Sequence, residues 1–310
     1  LKKYERVIPT LQDMKELFGK LIRNRDERGG LDLESTESKI ILDQNGLAID
    51  IQPRHSGLSE NMIEEFMLLA NTAAASFGLE HELPFLFRVH DNPPSEKIEV
   101  FEQSMAEIGF DISELKKGVT PLALYHILHK ARGTKYELIV NNSILRSMAK
   151  AQYSANNIGH FGLVIDKYSH FTSPIRRYPD LQIHRIIKDK LRGRLEREGK
   201  TEHYKEILED VARQSSVCER RADEAERESD KLKKAEYMSY HIGEEFEGII
   251  SGVTGWGFYV ELPNTVEGLV HVNTLRDDYY TFDQDAYELI GDVTHKVFAL
   301  GQKVRVRVAD

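Results

Sequence analysis

The sequence has 310 residues, with 42 Lys+Arg against 51 Asp+Glu, one cysteine (Cys218) and one tryptophan (Trp256). The net charge of −9 excludes a basic coat over the whole surface, and the lone cysteine excludes intramolecular disulfides and an all-cysteine zinc site. At roughly 150 residues per domain the length predicts two domains, and no apolar run approaches the roughly 20 residues of a membrane span.

Leu11, Met14, Leu17, Phe18, Leu21 and Ile22 recur at helical spacing and predict a helix over 11–28. After Gly29-Gly30 the period changes. Ile40–Leu42 and Leu47–Ile51 read as two strands joined by a tight turn, with Asn45-Gly46 supplying the positive φ it needs. Ser59 is the expected N-cap of a helix through Ala75, and Pro94-Ser95 opens another that ends near Gly109. Thr120 and Pro121 start a third, which Gly133 stops. Residues 142–151 read as helix and 160–166 as a short strand. Residues 201–241 form the longest periodic element, with Val211, Ser215, Cys218, Ala222, Ala225, Ser229 and Leu232 expected to lie against a neighbour. From Gly243 the composition turns β-rich, with strand character at 246–253, 258–262, 268–271 and 304–308. The expected class is therefore α+β, with one domain over 1–241 and a second over 242–310.

The densest polar run extends from His170 to Arg185. Ser173-Pro174 predicts a helix start, whose free N–H groups suit an anion. A helix from there places Arg176, Asp180 and His184 on one face and Arg177, Leu181 and Arg185 on the next. Residues 167–200 hold 10 Lys+Arg against 4 Asp+Glu, a local +6 in a −9 chain. Spacing alone leaves two readings open. One is a polyanion site; the other is a solvated helix in which Asp180 pairs with the arginines and His184 merely packs.

The run from His170 to Arg185 closely resembles the signature of the RNase II/RNase R family of 3′→5′ exoribonucleases. Arg28–Leu33, Ile63–Asn71 and Asn156–Phe161 resemble the same family in the same order. The resemblance covers residues 1–241 and is closer to RNase R than to RNase II. It implies hydrolysis of single-stranded RNA to nucleoside 5′-monophosphates by water activated at Mg²⁺. Arg176 matches the family's catalytic arginine, and Glu64 its catalytic-site glutamate. RNA contacts are implied for Arg177, Tyr178, His184 and Arg185. Where the family often carries a base-stacking aromatic, this chain has Leu33.

No residue here matches the family's metal-binding aspartates. The chain opens at Leu1 without methionine, so the expectation is a catalytic domain entered partway, with its Mg²⁺ ligands outside this sequence and no activity alone. Asp277, Asp278, Asp283 and Asp285 are expected on a solvated loop.

Gly248 to Val260 and Glu267–His271 resemble the RNA-binding OB-fold named after ribosomal protein S-one, a small five-stranded barrel. Trp256, Tyr259 and His271 match its RNA-contacting positions, while Phe258 is the core candidate. Arg305 and Arg307 alternate with valines and share one face. The final barrel strand is expected to lie beyond Asp310. The resulting expectation is a cytoplasmic monomer acting on single-stranded RNA, away from membranes. The alternatives are a non-catalytic RNA-binding relative and, less favoured, an OB-fold protein acting on DNA.

Overall fold

The computed structural model describes residues 4–31, 37–54, 56–134, 136–283 and 287–309. Leu33 and Asp285, both singled out in the sequence, lie outside them.

Helix α1 (Ile8–Arg28) ends on Gly29 in the left-handed conformation, φ 79°, as its C-cap. A side chain at Gly29 would also meet the Leu122 backbone at 2.6 Å, so two constraints select glycine there. Strands β1 (Glu37–Leu42) and β2 (Ala48–Arg54) pair antiparallel across the expected turn. Asp43 tightens that turn by accepting from the backbone N–H of both Asn45 and Leu47.

Helix α2 (Leu58–Glu80) starts after Gly57 without a side-chain cap and runs five residues past the expected end at Ala75. Its continuation is decided by packing: Gly78 admits the Phe85 ring, and a Cβ there would sit 2.7 Å from it. Strand β3 (Phe87–Val89), α3 (Ser95–Glu107) and α4 (Pro121–Ala131) follow, the last capped by the Thr120 hydroxyl as predicted. Helix α5 (Glu137–Ser147) begins and ends earlier than the expected 142–151, because its apolar face is Val140 and Ile144. Strand β4 (Gln152–Ser154) pairs with β3.

The strand expected over 160–166 is absent. His160 instead makes isolated bridges to His90 and Ile165 around a turn, with Val164 at φ 54°. The signature helix is also displaced. Helix α6 (Tyr178–Leu191) opens with Pro179 in its first turn, five residues beyond Ser173. A short α7 (Arg194–Arg197) leads to α8 (Lys200–Ser239), 40 residues and about 60 Å long.

The packed seam of α8 is Tyr204, Leu208, Ala212 and Ser216, not the small-residue stripe. Cys218, Ala222, Ala225, Ser229 and Leu232 of that stripe are exposed. Over 220–232 the helix crosses from that body to the β1–β2 hairpin, where Lys233 donates to the Gly46 carbonyl, so the periodicity continues across an exposed stretch.

The C-terminal β unit has seven strands in two sheets among the described residues. Strands β5 (Glu245–Thr254), β6 (Gly257–Glu261), β7 (Glu267–His271) and β11 (Lys303–Arg307) form one sheet in the order β11-β5-β6-β7. These are the four expected strands. Strands β8 (Tyr280–Asp283), β9 (Glu288–Gly291) and β10 (Val297–Ala299) form a second, three-stranded sheet that the patterning did not mark. Asp283 accordingly lies in a strand, not a loop.

Three apolar clusters hold the chain. One gathers Phe85, Leu86, Tyr153, Ile183, Ile186 and Leu208 under α6 and α8. The second joins α3, α4 and α5 through Phe101, Met105, Leu124, Ile127 and Ile144. The third is the β unit's core, with Ile250, Phe258, Val260, Leu289 and Phe298. Ile51 of β2 belongs to this third cluster, and Ser38 Oγ lies 2.6 Å from Thr265 Oγ1. The β1–β2 hairpin is therefore wedged against the β unit, while Glu236 of α8 accepts from the Ala48 N–H.

Candidate nucleic-acid interface

The signature segment is held from three sides before α6 begins. Asn71 of α2 accepts from the backbone N–H of Phe171 and Thr172 through Oδ1, and donates to the Tyr168 hydroxyl. On α6, the fully buried Asp180 accepts from the Ser173 N–H at 2.8 Å. The same oxygen, Oδ2, accepts from Arg177 Nε and Nη2 at 3.1 and 2.7 Å. The His184 ring stacks on Phe171 at 4.2 Å, with Nε2 2.9 Å from the Phe171 carbonyl.

These anchors raise a single turn, 173–177, above the surface. At its tip Ile175 is fully exposed, and Arg176 beside it has no ion-pair or side-chain hydrogen-bond partner among the described residues. The expected faces are corrected accordingly. Arg176 and Arg177 precede the helix, Asp180 points into the core, and His184 packs beneath the turn.

On the exposed side of α6, Tyr178 is half-exposed and the Arg185 guanidinium lies 5.8 Å from its ring centre. Lys188 and Arg192 continue that exposed side. Neither they nor Arg185 forms an ion pair among the described residues. Both aspartates of the helix are committed inward: Asp180 to Arg177, and Asp189 to Tyr204, Lys200 and Arg194. The local positive charge is thus sorted into paired and free cations, and the free ones line one face.

Behind the turn lies a group of rings that sequence reasoning had left unassigned. Tyr153 Oη is 2.9 Å from His170 Nδ1, and His160 packs edge-on against His90 and Tyr168. Burial, helped by the nearby arginines and a neighbouring histidine, holds His160 down at about 3 and His170 at about 2. Burial likewise pushes the Tyr153 hydroxyl up to about 12. Arg88 closes this layer, 4.9 Å from the Tyr153 ring centre and 2.6 Å from Glu219 of α8. These residues position the turn; they do not reach its surface. The sequence signal for them was an unusual density of His and Tyr over 153–170.

Glu64 is exposed on α2 and makes no hydrogen bond or ion pair to Arg176. Its neighbour Glu65 is the buried carboxylate, 2.8 Å from Arg25 Nη1. Burial pushes Glu65 up against the opposing pull of Arg25.

In the β unit, Trp256 sits in the β5–β6 turn and is 55% exposed, whereas Tyr259 is half-buried. Phe258 is buried as expected, stacked on Phe298 at 4.6 Å. His271 is half-buried and accepts from the Asn273 N–H through Nδ1. Arg305 and Arg307 do share a face, but both pair with Glu245.

The RNB domain family matches residues 2–193, which contain the whole turn and α6. The chain belongs to the RNB domain family. This RNB chain also matches the S1 RNA binding domain over 239–310. It is 41% identical to Ribonuclease R 1 of Lactococcus lactis over 99% of its length, and 43% identical to Ribonuclease R of Aquifex aeolicus over 99%. It spans 38% and 43% of those relatives' lengths. Its fold is similar to Mycoplasma genitalium RNase R in complex with ribose methylated single-stranded RNA, with TM-score 0.87 and 28% identity. That likeness covers 99% of this chain and 48% of the other.

Proposed function

We propose that this chain is the part of an RNase R-type 3′→5′ exoribonuclease that grips single-stranded RNA at its scissile phosphate and along its backbone. The observation that carries the reading is the raised 173–177 turn. Arg176 at its tip forms no ion pair among the described residues, while Asp180 Oδ2 below holds the Ser173 N–H and the Arg177 guanidinium. A guanidinium there offers paired N–H donors to a phosphate and would stabilise the charge that builds on it during hydrolysis. Arg185, Lys188 and Arg192 suit the adjoining phosphates. The exposed Trp256 suits a base farther along the strand.

The described residues do not fit a Mg²⁺ site: among them no group of three or more His, Cys, Asp or Glu could hold a metal ion. Asp277 is taken by Lys296 and Tyr280, and Asp278 by Val293 and Thr294. No step of hydrolysis is therefore drawn through a metal on these residues. We propose that the chain alone binds RNA without hydrolysing it, that the whole protein releases nucleoside monophosphates, and that it works as a cytoplasmic monomer.

Fluorescence anisotropy with matched RNA and DNA oligonucleotides, followed by a nucleotide-release assay with Mg²⁺, tests the reading. Tighter binding of RNA without nucleotide release is expected. Equal affinity for both strands would reject the RNA assignment, and Mg²⁺-dependent release would reject the inactivity.

A further inference from the structure

The three-stranded sheet β8–β10 has no part in the function proposed so far. Its most exposed aromatic is Tyr279, 84% accessible, immediately before β8. Tyr280 and Phe282 turn inward to the third core cluster, with Tyr280 5.3 Å from the Phe298 ring. Strand alternation therefore sends Tyr279 outward.

The backbone of Tyr279 is clamped on both sides. Its N–H donates to Asp278 Oδ1 at 2.8 Å, and its carbonyl accepts from the Asp292 N–H at 2.8 Å. Asp278 also accepts from the N–H of Val293 and from both N–H and hydroxyl of Thr294. Asp277 takes the Tyr280 hydroxyl and Lys296. Two acidic side chains thus spend their bonds on fixing the stretch that displays one ring. No ring contact or hydrogen bond involves the Tyr279 side chain among the described residues. Arg276, three residues earlier, is exposed and forms no ion pair among them.

This sheet adjoins the β5–β6 turn. A Cβ on Gly255, the residue before Trp256, would lie 3.9 Å from the Phe282 ring, and the Trp256 carbonyl accepts from the Val272 N–H. In OB-folds the loop between the first two strands is one of the places where oligonucleotides bind. Tyr279 is therefore mounted on a sheet that abuts this loop. A ring on a fixed backbone loses little freedom when a partner stacks on it.

We propose that Tyr279, with Arg276, forms a second base-stacking subsite for single-stranded RNA beside Trp256. The ring would carry a base and the guanidinium a phosphate. The inference rests on the RNA reading given above.

The test is titration of the chain with a fluorescein-labelled oligouridine, read by anisotropy and by quenching of Trp256, the only tryptophan. Tyr279→Ala should weaken binding about five- to 150-fold, the range that loss of one stacked base produces. Tyr279→Phe should stay within about twofold of the parent, since stacking needs the ring and not the hydroxyl. Cross-linking of the unmutated chain to a 4-thiouridine oligonucleotide reads the same contact without a substitution, and an adduct on the 276–280 peptide is expected. Parent-like affinity of Tyr279→Ala, or adducts at Trp256 with none at 276–280, would overturn the subsite and leave the RNA reading intact. Absence of oligouridine binding by the parent would overturn the RNA reading itself.

Discussion

The buried carboxylate of Asp180 holds the Arg177 guanidinium at 2.7 Å, while Arg176, adjacent in sequence, is exposed and forms no ion pair among the described residues. One anion thus divides two like residues into an anchor and a free cation. Its side chain is fully buried and its Oδ2 serves three donors, including the Ser173 N–H.

Removing that carboxylate leaves a mostly buried guanidinium and a backbone N–H unpaired. Asp180→Ala should therefore cost about 3–5 kcal/mol of stability. Arg176→Ala removes only exposed surface and should stay within about 0.5 kcal/mol. Urea unfolding of both variants checks this, and equal losses would contradict the division of roles.

The buried histidines predict acid sensitivity well above the range of the carboxylates. His160 and His170, held at about 3 and about 2 against an ordinary 6.5, are neutral when folded and take up protons on unfolding. Their contribution to stability is full above about pH 6.5 and falls as the pH drops from there toward the folded values. At pH 5 the loss should be about 2 kcal/mol for each histidine. Asp278, held at about 2 by its hydrogen bonds, adds a loss in the same direction only below about pH 4, outside this window. Urea midpoints at pH 7, 6 and 5 should fall steadily. His170→Phe should flatten the slope, and an unchanged slope would remove His170 from the cause.

What was legible in the sequence was whatever local chemistry dictates. Thr120-Pro121, Asn45-Gly46 and the alternation around Val304–Val308 each specify their element within a few residues. The misplaced start of α6 shows where that stops. Ser173-Pro174 is a valid helix opening, but Asp180 and Asn71, seven and about one hundred residues away, hold the 171–173 backbone in another conformation. Glu64 and Glu65 read alike in sequence, and only the approach of Arg25 from α1 buries the second. Strands β8–β10 escaped because they are three or four residues long and interrupted by charged residues. Their partners are supplied by the fold and not by an alternating pattern.

The free face of α6 predicts a graded salt effect. Each phosphate contact contributes close to one unit to the slope of log K against log salt, about 0.7 for single strands. Alanine at Arg185, Lys188 or Arg192 should lower the slope by about that amount and weaken binding to all sequences alike. Lys190, already paired with Glu196, serves as the internal control and should change neither. A Lys190→Ala effect as large as the others would mean that net charge, and not this face, governs binding.

Arg176 and Trp256 should separate by kinetics in the whole protein. Arg176→Ala is expected to lower turnover with a small change in binding, because a contact to the scissile phosphate matters most in the transition state. Trp256→Ala should weaken RNA binding by about 1–3 kcal/mol with turnover at saturation retained. The reverse pattern would exchange the roles.

The β1–β2 hairpin gives the last prediction. Ile51 is 2% exposed and lies in the core of the β unit, some two hundred residues ahead of it in sequence. Ile51→Ala should cost about 2–5 kcal/mol, the usual penalty for a large-to-small change in a packed core. Because Trp256 reports on the β unit alone, the location of the loss can be read directly. If the hairpin is part of that core, the Trp256 fluorescence transition moves to lower urea. If Ile51 served only its own hairpin, Trp256 would unfold at its original midpoint while far-ultraviolet circular dichroism changed, and the wedge would play no part in holding the β unit.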